Sequence, residues 1–188
     1  MAVYETHLGG EYDATNIISA PVVTAITSIE MDHVSLLGPD IQNIAWHKAG
    51  ILKAGSLAFP TVQQEEVTTV LNKRAVDKGV MLTYVDIGSV LPADTAVLKP
   101  TVQRSNCSLA LAVVRAWLIE KVPKEQNGIK DDVITQGIMQ FSWPGRFQQI
   151  NDRNCQWFLD GAHNESSLPY AVRWFAQRYV MLSSPLNS

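Results

Sequence analysis

DIQNIAWHKAGILK, residues 40–53, follows PVVTAITSIEMDH, residues 21–33, and AVYETHLGGEYDATN, residues 2–16. Residues 22–29 are rich in β-branched side chains and predict a buried strand, with Asp32 and His33 directly after it. Asp40 is an N-cap candidate. The dozen residues beyond it read as a helix with Ile41, Ile44, Ala45 and Leu52 on one stripe. Strand followed by helix suits an open α/β sheet, whose ligands bind beyond the carboxyl ends of strands. The short apolar run at residues 2–4 ends at Glu5, so Glu5 and His33 are expected at neighbouring strand ends, facing one hole. Gly9 and Gly10 between them permit a close backbone approach to a ligand.

Lys48 falls on the apolar stripe of the helix expected after Asp40. Burial disfavours an ammonium and lowers its pKa. A neutral amine could take up carbon dioxide as a carbamate, converting a cation into an oxygen ligand suited to Mg²⁺. The plainer alternative is a lysine that snorkels to solvent. Taken singly, Glu5 could be a solvated carboxylate and His33 a hydrogen-bonded structural histidine.

The rest of the chain continues the alternation. Residues 57–62 and 80–85 predict strands, and 65–78 an amphipathic helix with Val67, Val70, Leu71 and Ala75 inward. Pro92 and Pro100 punctuate residues 86–99, where one short strand could sit near Ala96. Residues 105–122 are apolar nearly all round and predict a helix buried on several sides, stopped by Pro123 and Asn127-Gly128. A shorter helix is expected over 131–141. Trp143-Pro144-Gly145 then marks a domain boundary. Beyond it, 146–150 and 156–159 read as strands joined by a turn. A final helix should carry Leu168, Ala171, Val172, Phe175 and Tyr179 on one face. The strand–helix order makes the sheet mainly parallel.

Composition narrows the functional classes. The 188 residues are 46% hydrophobic and 18% charged, enough for a sizeable core. A net charge of −3 offers no basic field to nucleic acid, no run is long enough to span a membrane, and no secretory signal is apparent. Cys107 and Cys155 form no ligand pair and read as reduced core thiols of an intracellular protein.

ETHLGGEYDATN, the Asp32-His33 pair after a strand, LLG at 36–38 and AWHKAGILK resemble the folylpolyglutamate synthases, members of the Mur-ligase-like family of ATP-dependent amide ligases. QRSN at 103–106, WPGR at 143–146 and LDGAHN at 159–164 match the same family in the same order. The resemblance implies an α/β fold: part of a Mur-ligase-like central ATPase domain over 1–142, then the start of a Rossmann-like C-terminal domain over 143–188. It implies that Glu5, His33 and carbamylated Lys48 hold Mg²⁺, and that Tyr12, Asp13 and Ala14 contact folate. Asn106, Arg146 and Asp160 are implied ATP contacts, and His163 lies near the phosphates. Lys48 and His163 are the implied catalytic side chains. By their residues alone, Asp160 could equally be a turn residue, and Arg146 could pair with a surface acid.

The implied reaction joins glutamate to tetrahydrofolate and its polyglutamates. The γ-phosphate of ATP activates a carboxylate, and the amine of L-glutamate attacks the acyl phosphate. Such phosphoryl transfer needs charge neutralisation and positioning, and a second domain closing over the site would exclude water. Dihydrofolate synthase, which shares these motifs, is the alternative within the class. A non-catalytic remnant binding folate, metal or a partner is the alternative outside it. The family's P-loop has no counterpart here: Gly50 and Gly55 have the outer spacing of G-x-x-x-x-G-K-[ST], but Ser56 stands where lysine is required. The chain is therefore expected to begin inside one domain and end inside the next. Thr6-His7 stands where relatives often carry Val-Gly. No nucleic acid or membrane partner is expected, and the location is cytoplasmic or mitochondrial.

Overall fold

Strand β1, Val23–Ile26, lies parallel to β2, Leu57–Pro60, with Val23 opposite Leu57 and Ile26 opposite Pro60. The structure, a computed structural model, describes residues 1–88, 91, 96–98, 100–122 and 129–183. Pro60 has no N–H to give to a ladder, and the Thr61 amide resumes the pairing by donating to the Ile26 carbonyl at 2.9 Å. The strand expected over 80–85 forms as two parallel bridges, Leu82 to Ala58 and Val85 to Thr61. Both β1 and β2 are shorter than the apolar runs that announced them. No strand forms at residues 2–4, where Val3 and Tyr4 are exposed. Glu5 thus sits in an irregular segment and not at a strand end.

Asp40 caps helix α2, Ile41–Lys48, by accepting from the Asn43 amide at 2.8 Å; the short helix α1, Val34–Leu37, precedes it. A tight turn over Ala49–Ile51 ends α2, so the long helix expected there is one helix plus a 3₁₀ turn. Ile41, Ile44, Ala45 and Leu52 are all buried as their spacing required. Helix α3, Glu65–Asp77, packs against α2 and buries Val67, Leu71 and Ala75, with Val70 partly covered. Together with Ile26, Ile29 and Ala58 from the sheet side, these residues form the core.

Helix α4, Thr101–Lys121, follows Pro100 directly, whose fixed φ suits a helix entrance, and packs on β1 and β2. It is less buried than its composition suggested: only Ser108, Leu109 and Ala116 are fully covered, and Ile119 is exposed. A 3₁₀ turn over Ala96–Leu98 replaces the short strand expected near Ala96. Pro92 and the helix stop at Pro123 and Asn127-Gly128 lie outside the described residues. Helix α5 spans Asp131–Met139.

Two compact units divide within α5, Met1–Gln136 and Gly137–Ser188. The second contains the antiparallel hairpin β3, Gln148–Asp152, and β4, Cys155–Leu159, followed by α6, Leu168–Ser183. Its covered helix face is not the expected one. Trp174 is the buried residue, edge-on to Phe147 and Phe158, whereas Leu168, Val172, Phe175 and Tyr179 stay exposed. Cys107 is partly buried but Cys155 is exposed, so only the first resembles the core thiol that both were expected to be.

Candidate functional site

The GGEYDATN segment is clamped onto the end of α2. An added Cβ at Gly10 would overlap the His47 carbonyl and lie 3.0 Å from that of Lys48; one at Gly50 would overlap the backbone of Glu11. Glycine at both positions lets two backbones meet, and Gly10 has φ +159. The Glu11 amide donates to the His47 carbonyl at 2.8 Å. The Glu11 carboxylate pairs with Arg74 and, at 3.5 Å, with Lys78 at the end of α3. Arg74 also lies over the Trp46 ring at 4.2 Å. These partners were not recognised in the sequence: Glu11 and Arg74 are 63 positions apart, and only the packing of α2 on α3 brings them together.

Of the loop residues, Tyr12 is exposed, with its ring 6.5 Å from Trp46 and 5.7 Å from His47. Asp13 caps the turn Ala14–Ile17, accepting from the Thr15 hydroxyl at 2.7 Å and its amide at 2.8 Å. Those bonds, the hydroxyl's first, hold its carboxyl below the usual range. Ala14 is exposed beside it.

A cleft of about 540 Å³ opens beside this loop, lined by Glu5, Thr24, Lys48, Lys53, Val113 and Trp117 among others. Lys48 is half-buried. Desolvation lowers its pKa, opposed by the charge of Asp32. The cleft gathers Glu5 and Lys48. His33 is not among its lining residues and instead adopts a left-handed backbone, φ 53, at the start of α1, its Nε2 3.8 Å from the Asp32 carboxylate. Asp32 thus acts on both, its carboxylate near the His33 ring and its charge felt at Lys48. Among the described residues, no three His, Cys, Asp or Glu side chains assemble into a metal cage.

Gln63 braces the loop that leads to Asp32. Its amide nitrogen donates to the Thr27 carbonyl at 2.9 Å, and its oxygen accepts from the Ile29 amide at 3.0 Å. Asn106 is half-buried on α4 and is not on the cleft lining. Its neighbour Arg104 donates to the Leu91 carbonyl at 2.9 Å, fixing the chain that precedes α4.

In the second unit, Asp160 accepts from the Phe147 amide at 2.8 Å and the Ala162 amide at 2.9 Å, tying the WPGR turn to the DGAHN loop. Phe147 needs that support, because its φ of 48 is unusual for an aromatic residue. The Arg146 guanidinium packs against Gly161, where a Cβ would meet Nη1 at 2.8 Å. His163 is exposed, its Nδ1 2.9 Å from the Gly161 carbonyl. Arg146, Asp160 and His163 therefore share one loop cluster.

The parallel sheet with packed helices, and a glycine loop pressed on a lysine-bearing helix end, define an α/β fold. No family model matches the chain. It is 41% identical over 182 residues to folylpolyglutamate synthase of Neurospora crassa, covering 96% of this chain and 34% of that protein. It is 38% identical over 199 residues to the mitochondrial folylpolyglutamate synthase of Bos taurus, covering 94% and 34%. Among solved structures, the apo form of L. casei FPGS superposes with a TM-score of 0.76 at 24% identity, over 97% of this chain and 48% of that one. Mycobacterium tuberculosis folylpolyglutamate synthase complexed with ADP and AMPPCP gives 0.72 at 27% identity, over 89% and 42%. The chain is a relative of the folylpolyglutamate synthases, and it spans about a third of the length of the curated relatives it matches.

Proposed function

We propose that this chain carries part of the machinery of an ATP- and Mg²⁺-dependent folylpolyglutamate synthase, which ligates L-glutamate to tetrahydrofolate and its polyglutamates through an acyl phosphate. The supporting observation is the cleft that gathers Glu5 and Lys48 beside the Tyr12–Asp13–Ala14 loop, in a chain 41% identical to a named synthase. The solved relative bound to ADP and AMPPCP supports a nucleotide as co-substrate.

Each group has a role suited to its surroundings. Tyr12 offers an exposed ring for a flat heterocycle, and Asp13, held ionised by Thr15, fixes the turn that presents it. Arg146 contributes positive charge to nucleotide phosphates. Asp160 sets its position and His163 adds a donor, while Asn106 is assigned to ATP through the QRSN match. The donor chemistry at the cleft fits Mg²⁺ on one condition. Glu5 supplies a hard oxygen, but an ammonium at Lys48 would repel the ion. Desolvation of Lys48 favours the neutral amine, which with carbon dioxide yields a carbamate and a proton. His33 lies outside the cleft lining and would join Glu5 and Lys48 only by moving toward them. Bound there, Mg²⁺ would neutralise charge developing on transferred phosphoryl oxygens. The cytosol and the mitochondrion are the compartments proposed; among the described residues no helix is long and apolar enough to cross a membrane.

The test is ATP- and Mg²⁺-dependent incorporation of labelled glutamate into tetrahydrofolate, with dihydropteroate offered in parallel to detect dihydrofolate synthase activity. Incorporation into neither, beside an active Neurospora enzyme, would leave the chain a binding role only. A carbamate at Lys48 would appear as a bicarbonate-derived ¹³C carbonyl signal, absent in Lys48→Ala.

A further inference from the structure

The carboxylate of Glu11 ties the glycine loop to α3, and none of the roles above uses it. We propose that Glu11 and Arg74 form a positioning latch: their ion pair sets both the Tyr12–Ala14 loop and the end of α2 that bears Lys48. The role at the site rests on the function proposed above; the latch itself does not.

Four contacts converge on this pair. Glu11 Oε2 meets Arg74 and Lys78, both mostly buried. The Glu11 backbone is held on both sides, its amide by His47 and its carbonyl by the Asn16 side chain at 3.0 Å. Arg74 spreads its guanidinium over Trp46, whose ring is edge-on to His47 at 5.1 Å and near Tyr12 at 6.5 Å. Lys78 also donates to the Gly50 carbonyl at 3.1 Å, gripping the turn just past Lys48. A single carboxylate therefore organises two cations, and each holds a different piece of the chain around Lys48: Arg74 the Trp46 ring on α2, Lys78 the Gly50 carbonyl in the turn that follows. The Arg74 Nε is buried with no hydrogen-bond partner among the described residues, so removing Glu11 leaves a poorly compensated cation and not a neutral gap. Arg74 meets the Glu11 carboxylate through Nη2 while its planar guanidinium lies over Trp46, a combination that lysine at position 74 would not supply.

The test is hydrogen exchange on the full chain carrying Glu11→Gln, Arg74→Met or both. Loss of the latch should speed exchange of the Glu11, Asp13, Asn16 and Ile18 amides by about tenfold, as loss of a charge-assisted hydrogen bond implies. The Val70 and Leu71 amides in α3 should keep their protection, which separates loop release from general unfolding. The double variant should be no faster than the worse single one, since both remove one interaction. Unchanged loop exchange in Glu11→Gln, or additive effects in the double variant, overturns the latch. Folate added as a probe should bind the wild type and bind Glu11→Gln more weakly by a similar factor. A wild type that ignores folate while the exchange pattern holds sinks the proposed function and leaves the latch standing.

Discussion

Replacing Gly50 by alanine should destabilise the first unit far more than the added methyl suggests. The position is not in the left-handed region, so local propensity favours alanine by about 1 kcal/mol. Packing opposes this. The new Cβ would overlap the Glu11 Cα and amide nitrogen and lie 2.7 Å from its Oε2. An ordinary contact is about 3.5 Å, so the loop must retreat by about 1 Å. The Glu11 amide bond to the His47 carbonyl, 2.8 Å long, cannot survive such a shift, which costs about 1 kcal/mol. Overpacking against backbone adds about 1–3 kcal/mol. The net expectation is a loss of about 2 kcal/mol, or a fall of about 4–8 °C in Tm. Two other glycines calibrate it. A Cβ at Gly137, inside α5, meets nothing within 4 Å, so Gly137→Ala should stabilise. Gly55 also faces open space, but its φ of +79 should make alanine cost about 1 kcal/mol with no clash. Thermal and urea unfolding of the three variants would measure this. A Gly50→Ala protein as stable as Gly137→Ala would refute the reasoning that the two backbones are in contact.

Lys48→Met should raise stability wherever the wild-type lysine is an ammonium, the form that desolvation penalises. The folded pKa lies below the unfolded one, so the unfolded chain binds more protons between them. Wild-type stability should therefore rise with pH from the lowered pKa up to the ordinary lysine value, and urea titrations should show that slope flattened in the variant. Trp174→Ala should cost about 3 kcal/mol or more. That loss should strip amide protection from the β3–β4 hairpin, because Trp174 is what Phe147 and Phe158 pack on. Asp160→Asn turns an acceptor into a donor facing an amide, at about 1–3 kcal/mol. Phe147 or Ala162 should lose its exchange protection as a result.

Periodicity was most legible where one face met one core. The stripe of α2 and the face of α3 were readable because burial there follows helical spacing without interruption, and Asp40 marked the start. It failed where the partner surface was small. Helix α6 has several apolar side chains and, among the described residues, a two-stranded hairpin as its sheet, so Trp174, the largest, took the covered position while Leu168, Val172, Phe175 and Tyr179 stayed exposed. Residues 2–4 illustrate the same limit: an apolar run reads as a strand until no neighbouring strand is found to pair with it. Among candidate site residues, Lys48 was visible because an ionisable group on an apolar stripe is a local contradiction. Glu11, Arg74 and Gln63 were not visible, since each is unremarkable until the chain folds back on itself.

That difference bears on how the cleft works. Among the described residues, the groups assigned to chemistry, Glu5 and Lys48, have few fixed partners, whereas those around them are heavily bonded. Glu11 is held by α2 and α3, Asp13 by Thr15, and the Thr27–Ile29 loop by Gln63. A site that must receive a charged ligand gains from this division. Supporting residues satisfy their own hydrogen bonds inside the protein, so binding need not break them, while the receiving side chains keep their valences open. The His33 backbone fits the same logic from the other side. A left-handed residue shortly after a hydrogen-bonded loop stores strain that its neighbours must hold. Releasing Gln63 from Thr27 and Ile29, for example by Gln63→Leu, should therefore disturb His33 and Asp32 before it disturbs the sheet. The His33 ring resonances should shift and broaden while the amides of β1 and β2 keep their protection. Equal loss at both would mean that Gln63 supports the sheet as a whole and not the loop.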